Sequence, residues 1–111
     1  MNHYMAQGNL GADPEMRQVG DKRVWAFPIY VKTGSRKDDI LMKCNAWENV
    51  GEMISKYFTS GKPITVYGEL ELNEWERGDT KYKDFQLNVR GWNFVNFGQP
   101  QQQKEDSNGS V

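Results

Sequence analysis

The sequence predicts a single, mostly β domain: a small barrel of five strands with one α-helix between the third and fourth strands. Three observations lead to this fold class. Short runs of apolar and aromatic residues alternate with polar ones at the period of two that is typical of strands. Residues 48–59 change to the period of an α-helix. The chain has 111 residues, which is enough for one core and a short appendage.

The first three predicted strands lie in the first half of the chain. The first covers residues 2–10 and 15–19 and is broken by a turn that contains Asp and Pro, two residues that favour turns. The second is the β-branched and aromatic run 23–33. The third, 40–47, follows a polar loop.

The predicted helix and the last two predicted strands follow in the second part of the chain. One helical face is apolar, because hydrophobic side chains recur at i, i+3, i+4, i+7 and i+8 at Val50, Met53, Ile54, Tyr57 and Phe58. Residues 63–75 and 82–90 then form a long hairpin around 76–80. Three strands, a helix and two strands is the order of the OB fold, whose sheet face commonly binds oligonucleotides.

The C-terminal residues form a different kind of segment. From Gly98 the chain reads GQPQQQKEDSNGSV, with no apolar residue before the terminal valine. Such a composition cannot bury enough apolar surface to fold. We therefore predict one OB domain over residues 1–98 and a disordered polar tail over 99–111.

Composition narrows the function and the cellular setting. The formal net charge is -1, so binding of a nucleic acid would depend on local cations and on stacking rather than on a basic surface. No apolar run approaches a membrane span, and the N-terminus lacks the layout of a signal peptide. Cys44 is the only cysteine and His3 the only histidine, so we expect no disulfide, no metal and no cofactor. These features predict a cytoplasmic protein without membrane contact.

The parity of each strand separates its core residues from its surface residues, because alternate side chains face opposite sides of a sheet. One parity is apolar in all four long strands, and these residues are predicted to form the core: Trp25, Phe27, Ile29, Val31, Ile40, Met42, Cys44, Ala46, Ile64, Val66, Leu70, Leu72, Phe85, Leu87 and Val89. A β-bulge would reverse the parity beyond it.

The opposite parity interleaves aromatic rings and cations. The outward set is Tyr30, Lys32, Leu41, Lys43, Trp47, Tyr67 and Trp75, with Arg36 and Lys37 in the adjoining loop and Arg17 among the cations of the first half. Bases stack on flat rings at about 1–3 kcal/mol per base, while Lys and Arg follow the phosphates. The set therefore suits a single strand of nucleic acid, and it would equally suit a dimer interface or the barrel mouth.

Three segments carry a resemblance to a known family. NLGADPEMR (9–17) closely resembles the N-terminal motif of bacterial single-stranded DNA-binding proteins, and VWAFPIYV (24–31) resembles their second strand. Residues 44–75 match the family's helix and following strand. The resemblance covers roughly residues 2–98. It implies binding and protection of single-stranded DNA, independent of sequence, during replication, recombination and repair, with no catalysed reaction.

The resemblance also implies roles for particular residues. Trp47 and Trp75 fall where family members stack aromatic rings on bases, and Lys43 matches a basic position. Leu41 stands where many members carry a further tryptophan. The family forms homotetramers through dimers that are paired by the first strand; residues 2–9 would serve here, with dimer or tetramer left open. The acidic, aromatic-tipped tail that recruits replication and repair proteins is missing from this sequence, so such partners are uncertain.

Two other functions remain open at this stage. An OB-fold protein of replication restart would bind DNA weakly and act mainly by holding protein partners. An RNA-binding OB protein would use the same stacking surface, since stacking does not distinguish ribose from deoxyribose. An enzyme is not expected, because Glu69 and Glu71 share a face without a pocket that would shift their pKa values.

Overall fold

A computed structural model describes residues 1–32 and 39–95 of the chain. The described residues form six strands and one helix: β1 (Tyr4–Leu10), β2 (Glu15–Val19), β3 (Lys22–Val31), β4 (Ile40–Trp47), α1 (Glu48–Tyr57), β5 (Pro63–Arg77) and β6 (Thr80–Phe94). The mostly β class and the position of the helix are confirmed. The predicted tail lies outside the described residues, as do Arg36 and Lys37.

The strands close into a barrel of the OB type. Around the ring the order is β1, β5, β6, β4 and β3, and β3 pairs back to β1 from Gly8↔Val31 to Leu10↔Ile29. β4 and β6 run parallel, whereas the other pairs are antiparallel. β2 also pairs with β3, along its first half. The predicted broken first strand is therefore two strands that lie along the same neighbour.

A close approach and a bulge fix the corner between β5 and β6. A Cβ atom at Gly68 would overlap the carbonyl group of Asn88, so only glycine fits. Tyr67 pairs with Gly91 while Gly68 pairs with Val89, which leaves Arg90 as the extra residue of a β-bulge. Before the bulge the odd-numbered residues of β6 face the barrel interior, and after it the even-numbered ones do. Val89 and Trp92 therefore both face the interior.

The barrel interior confirms most of the predicted core. The buried cluster includes Phe27, Ile29, Met42, Cys44, Ala46, Ile64, Val66, Leu87 and Val89, together with Ala6 and Leu10 from β1. α1 covers one end of the barrel with Ile54, and Phe58 is buried just after the helix. No helix of the described segments is long and apolar enough to cross a membrane.

The helical face is rotated from the prediction. Gly51 and Ile54 are the buried residues of α1, and Met53 and Tyr57 are exposed. The reason is the contact between α1 and β3: a Cβ atom at Gly51 would strike the Trp25 ring and the carbonyl oxygen of Ala46. The glycine therefore lets the helix backbone lie directly on β3, and this contact decides which face is buried.

Three core predictions are wrong, at Ile40, Leu72 and Phe85, which are all exposed. They lie at or beyond the end of the barrel, where no opposing wall formed by the described residues covers them. β5 and β6 continue past the barrel as a two-stranded hairpin, here called the arm, which comprises residues 71–85. Its tip is a two-residue loop with Gly78 at φ 65°, a conformation typical of tight hairpin turns.

Candidate nucleic-acid interface

Strand pairing brings the predicted outward residues of β3 and β4 onto one surface. Tyr30 lies opposite Leu41, and Pro28 lies opposite Lys43, which in turn pairs with Gln86 on β6. Trp47 ends the same row of β4, opposite Val24. We call the outward side of β3, β4, β6 and the adjoining part of β5 the outer face. Lys43 and Trp47 are four residues apart on it, about 13 Å along an extended strand.

The arm contributes an aromatic pair to the outer face. Trp75 lies directly across from Tyr82, and their rings stack with centroids 5.5 Å apart and planes 17° from parallel. Lys43 Nζ lies 5.9 Å from the centroid of the Trp75 ring. Trp75 remains 37% exposed. The arm therefore holds a large, accessible ring beside a cation that belongs to the barrel.

Trp47 occupies the opposite end of the face and is supported by the barrel. It is 36% exposed and is the last residue of β4, immediately before α1. Its cross-strand neighbour Val24 is buried, and Arg17 of β2 lies opposite Val24. A groove of about 630 Å³ runs beside the ring, with Lys22, Asn88 and Arg90 among its lining residues. A flat ring thus borders a groove that presents cations, an amide and the carboxylates of Glu48 and Glu71.

The remaining predicted site residues divide into two groups. Tyr30 and Leu41 are exposed cross-strand neighbours on the outer face, and Lys32 follows β3 as an exposed cation. Tyr67 instead lies around the barrel, where β5 meets β1, and its ring fills the space beside Gly91. Tyr67 is half-buried and is not brought together with the other aromatic residues of the site.

The cations of this surface are paired with carboxylates of the same chain. Lys43 Nζ lies 2.8 Å from Asp84 Oδ2, Arg90 Nε lies 2.9 Å from Glu69 Oε1, and Lys32 Nζ lies 3.6 Å from Asp39 Oδ2. Exposed ion pairs contribute only about 0–1 kcal/mol to stability. Each cation can therefore leave its carboxylate for a phosphate at small cost in free energy. The same pairing of cations with carboxylates keeps the net charge of this surface close to zero.

Sequence reasoning missed two residues of this site, Tyr82 and Asp84. Both have the even parity that the sequence analysis assigned to the outward side of β6. The hairpin register supplies the other signal, because a two-residue loop after Arg77 places Trp75 opposite Tyr82. The missing element was the contact from Lys43 of β4 to Asp84 of β6, which joins strands 41 residues apart in the chain.

Cys44 lies in the barrel wall beneath the face. It is buried, and that burial raises the pKa of its thiol from 9.0 to about 12. The thiol is therefore protonated near neutral pH, and a protonated thiol is a poor nucleophile.

Comparison with known proteins decides the family. The family model for single-strand binding proteins matches residues 1–96, nearly the whole of the chain. The chain belongs to the single-strand binding protein family. The resemblance that the motifs indicated is thereby confirmed, and it covers the complete barrel and the arm.

Several curated relatives are similar to this family member. A single-stranded DNA-binding protein of Chlamydia trachomatis is 37% identical over 71 residues, which are 61% of this chain and 45% of the relative. One of Chlamydia caviae is 30% identical over 95 residues, 82% of this chain and 59% of the relative. One of Clostridium perfringens is 28% identical over 102 residues, 88% of this chain and 68% of the relative. The chain thus spans about half the length of the chlamydial relatives.

Proposed function

We propose that this protein binds single-stranded DNA on its outer face, without regard to sequence, and protects unwound strands during replication, recombination and repair. The observation that carries the proposal is the arrangement around Trp75. The ring centroid of Tyr82 lies 5.5 Å, and the ammonium group of Lys43 5.9 Å, from the centroid of the accessible Trp75 ring. Membership of the single-strand binding protein family and the names of the similar proteins support the same ligand.

Trp47 and Trp75 supply the stacking surfaces in this proposal. Every base has a flat π-face, so stacking on indole is worth about 1–3 kcal/mol per base and tolerates any sequence. In duplex DNA the bases are already stacked and paired, so the rings cannot reach their faces. The two tryptophans therefore favour single strands over duplex.

The cations follow the phosphates between the two rings. Lys43 lies beside Trp75, and Arg17 lies on the β2 side of Trp47. Arg36, Lys37 and Lys32 belong to the β3–β4 connection, from which they would contact the strand. Tyr30 and Leu41 form a flat, partly apolar surface near this loop, and Tyr67 serves as a secondary platform. Residues 1–98 make up the binding domain, and 99–111 a polar tail.

The protein acts by coating in this proposal and catalyses no reaction. A bound strand is withheld from nucleases, from hairpin formation and from reannealing. We place it in the cytoplasm on the DNA, where a lone reduced cysteine is ordinary.

Titration with oligo(dT) while tryptophan fluorescence is recorded tests the proposal. Exposed indoles that stack on bases lose fluorescence, so we expect strong quenching by the single strand and little by duplex DNA of equal length. At saturating DNA the quenching should persist from about 50 to about 200 mM salt, because stacking is not screened, while the affinity itself falls as the salt concentration rises. Substituting Trp47→Ala and Trp75→Ala together should remove most of it.

Trp92→Phe is the matched control. Trp92 packs against Phe58 and Phe94 at the far end of β6, with ring centroids 5.4 and 5.0 Å away, and phenylalanine preserves an aromatic ring there. The variant should keep the affinity for oligo(dT). Absence of quenching, or equally weak binding of both DNAs that salt abolishes, would contradict the proposal.

A homo-oligomer completes the proposed assembly. On one side, β1 pairs with β5 along Tyr4–Asn9. On its other side, β1 pairs with β3 only over Gly8–Leu10, so among the described residues the backbone of its first residues has no partner strand on that side. Open strand edges are ready to pair with another chain. We expect a dimer or tetramer in light scattering, and expect Met5→Lys with Gln7→Lys to lower the mass, because charged edges oppose pairing.

A replication-restart interaction protein is the second candidate. The ion pairs of Lys32, Lys43 and Arg90 favour it, because cations that are paired internally attract phosphates less strongly. This candidate predicts weak quenching by oligo(dT) together with a stable complex with a protein partner. A matched RNA oligomer in the same titration tests the RNA-binding alternative, which requires tighter binding of RNA than of DNA.

A further inference from the structure

We propose that Asp84 competes with DNA phosphates for Lys43, so that Lys43 changes partner when a single strand binds. The inference rests on the proposed function and adds a residue that sets the affinity of the same site. Asp84 is the only carboxylate within 4.0 Å of Lys43 among the residues that the structure describes.

Asp84 lies beside the proposed path of the strand, because it shares Lys43 with the Trp75 ring. Lys43 Nζ donates a hydrogen bond to Asp84 Oδ2 at 2.8 Å, and the same ammonium group lies 5.9 Å from the centroid of the Trp75 ring. A base stacked on Trp75 brings its phosphate close to Lys43 and hence close to Asp84. The carboxylate and the phosphate are both anions, and they require the same donor.

The exposure of Lys43 allows it to exchange Asp84 for another acceptor. The side chain of Lys43 is 55% exposed, so the ammonium group reaches solvent and can turn to a new acceptor. Asp84 is held by the sheet, with its Oδ1 buried and without a hydrogen-bond partner among the described residues. Lys43 is the only donor to this carboxylate among the described residues, so its departure leaves Asp84 without a protein donor, and that cost opposes the binding of a phosphate.

The exchange has a thermodynamic consequence. When Lys43 moves to a phosphate, Asp84 remains as an unpaired anion beneath the strand and takes up a cation from solution. That uptake offsets about one of the counterions that the single strand releases on binding. Asp84 therefore lowers both the affinity for DNA and the dependence of the affinity on salt.

The variant Asp84→Asn tests the inference, because it removes the charge and keeps the shape. At low salt we expect oligo(dT) affinity to rise about two- to fivefold, the size of one exposed ion pair. The slope of log K against log salt should become steeper by about 0.7, the value for one phosphate contact on a single strand. Asp84→Ser serves as a second variant should the amide disturb packing.

Glu76→Gln is the matched control. Glu76 pairs with Lys81 at 4.0 Å on the opposite side of the same arm, and its substitution changes the net charge by the same amount. It should leave affinity and slope unchanged. In a Lys43→Gln background, Asp84→Asn should give no gain, because the competition acts through the ammonium group.

Each outcome has one meaning. Unchanged or weaker binding by Asp84→Asn would overturn the inference, since Asp84 would then position Lys43 rather than compete for it. An equal gain with Glu76→Gln, or with Lys43 absent, would also overturn it and indicate general repulsion. If the wild-type protein does not bind oligo(dT), the proposed function fails as well; if it binds tightly and Asp84→Asn shows no gain, only this inference fails.

Discussion

The barrel and the arm are made from the same two strands, yet different interactions hold them. In the barrel, β5 and β6 bury Ile64, Val66 and Leu87 against the opposite wall. In the arm, the same strands expose every residue from 71 to 77, and the structure is maintained by pairing between the two strands and by the contact of Asp84 with Lys43 of the barrel. The barrel thus supplies stability, and the arm carries an accessible ring pair that contributes little to the core.

This difference separates two kinds of tryptophan on the outer face. Trp47 stands on a wall that α1 and the core hold in place. Trp75 stands on a hairpin and is supported by Tyr82 on one side and by Lys43 of the barrel nearby. Substitutions in the barrel should therefore change stability first, whereas substitutions in the arm should change binding first.

The largest expected effect is on stability. Leu87→Ala removes a side chain with no exposed surface and should lower the free energy of unfolding by about 2–5 kcal/mol. Phe85→Ala, two residues earlier on β6, should cost less than about 1 kcal/mol, because Phe85 is 61% exposed. Urea unfolding followed by circular dichroism measures both. Equal losses would show that the arm packs like the barrel.

The next effect is on binding by the two tryptophans. Trp47→Ala and Trp75→Ala should each weaken oligo(dT) binding by about 1–3 kcal/mol, the value of one stacked base. Fluorescence anisotropy of a labelled oligomer measures the affinity independently of tryptophan emission. Trp75→Ala should leave the unfolding midpoint almost unchanged. A large drop in that midpoint would contradict the division between arm and barrel.

A smaller effect is expected from Tyr82. Tyr82→Ala removes the ring that holds Trp75 in place, and aromatic pairs contribute about 0.5–1.5 kcal/mol beyond burial. Binding of oligo(dT) should weaken by a similar amount, while Tyr82→Phe should retain the wild-type affinity. If Tyr82→Phe were as weak as Tyr82→Ala, the hydroxyl group would be the functional part, and the stacking role would be wrong.

A separate effect, seen only at high pH, concerns Cys44, which reports on the barrel alone. Because the pKa of its thiol is raised to about 12 in the folded protein, the folded state retains this proton more tightly than the unfolded state. Its contribution to stability is complete below pH 9.0 and is lost as the pH rises towards about 12. The difference in unfolding free energy between wild type and Cys44→Ala should fall over that range. A difference independent of pH would contradict the raised pKa.

Much of the barrel could be predicted from parity. Met42, Cys44 and Ala46 alternate with Leu41, Lys43 and Asn45, and the structure buries the first set and leaves the second at or near the surface. The same reasoning was wrong for Leu72 and Phe85, which continue an apolar pattern beyond the end of the core. Parity tells which residues share a side of a strand; it does not tell whether anything covers that side.

The site shows the same division. The positions of Trp47, Trp75 and Lys43 on one surface followed from parity and from the family resemblance, and the structure places all three on the outer face. The ion pair between Lys43 and Asp84 was not predicted, because the two residues meet only when β4 and β6 lie parallel in the closed barrel. Tyr67 has the right parity, but barrel curvature carries it away from the other rings.

By itself, the sequence determined the periodicities, and therefore the strands, the helix and the sidedness of each strand, because these depend on neighbours a few residues apart. The tertiary structure alone decided where the core ends, which face of α1 is buried and which carboxylate meets each cation. These features depend on contacts between distant segments, such as Gly51 against Trp25 and Lys43 against Asp84. Closure of the ring creates those contacts, and no local pattern encodes them.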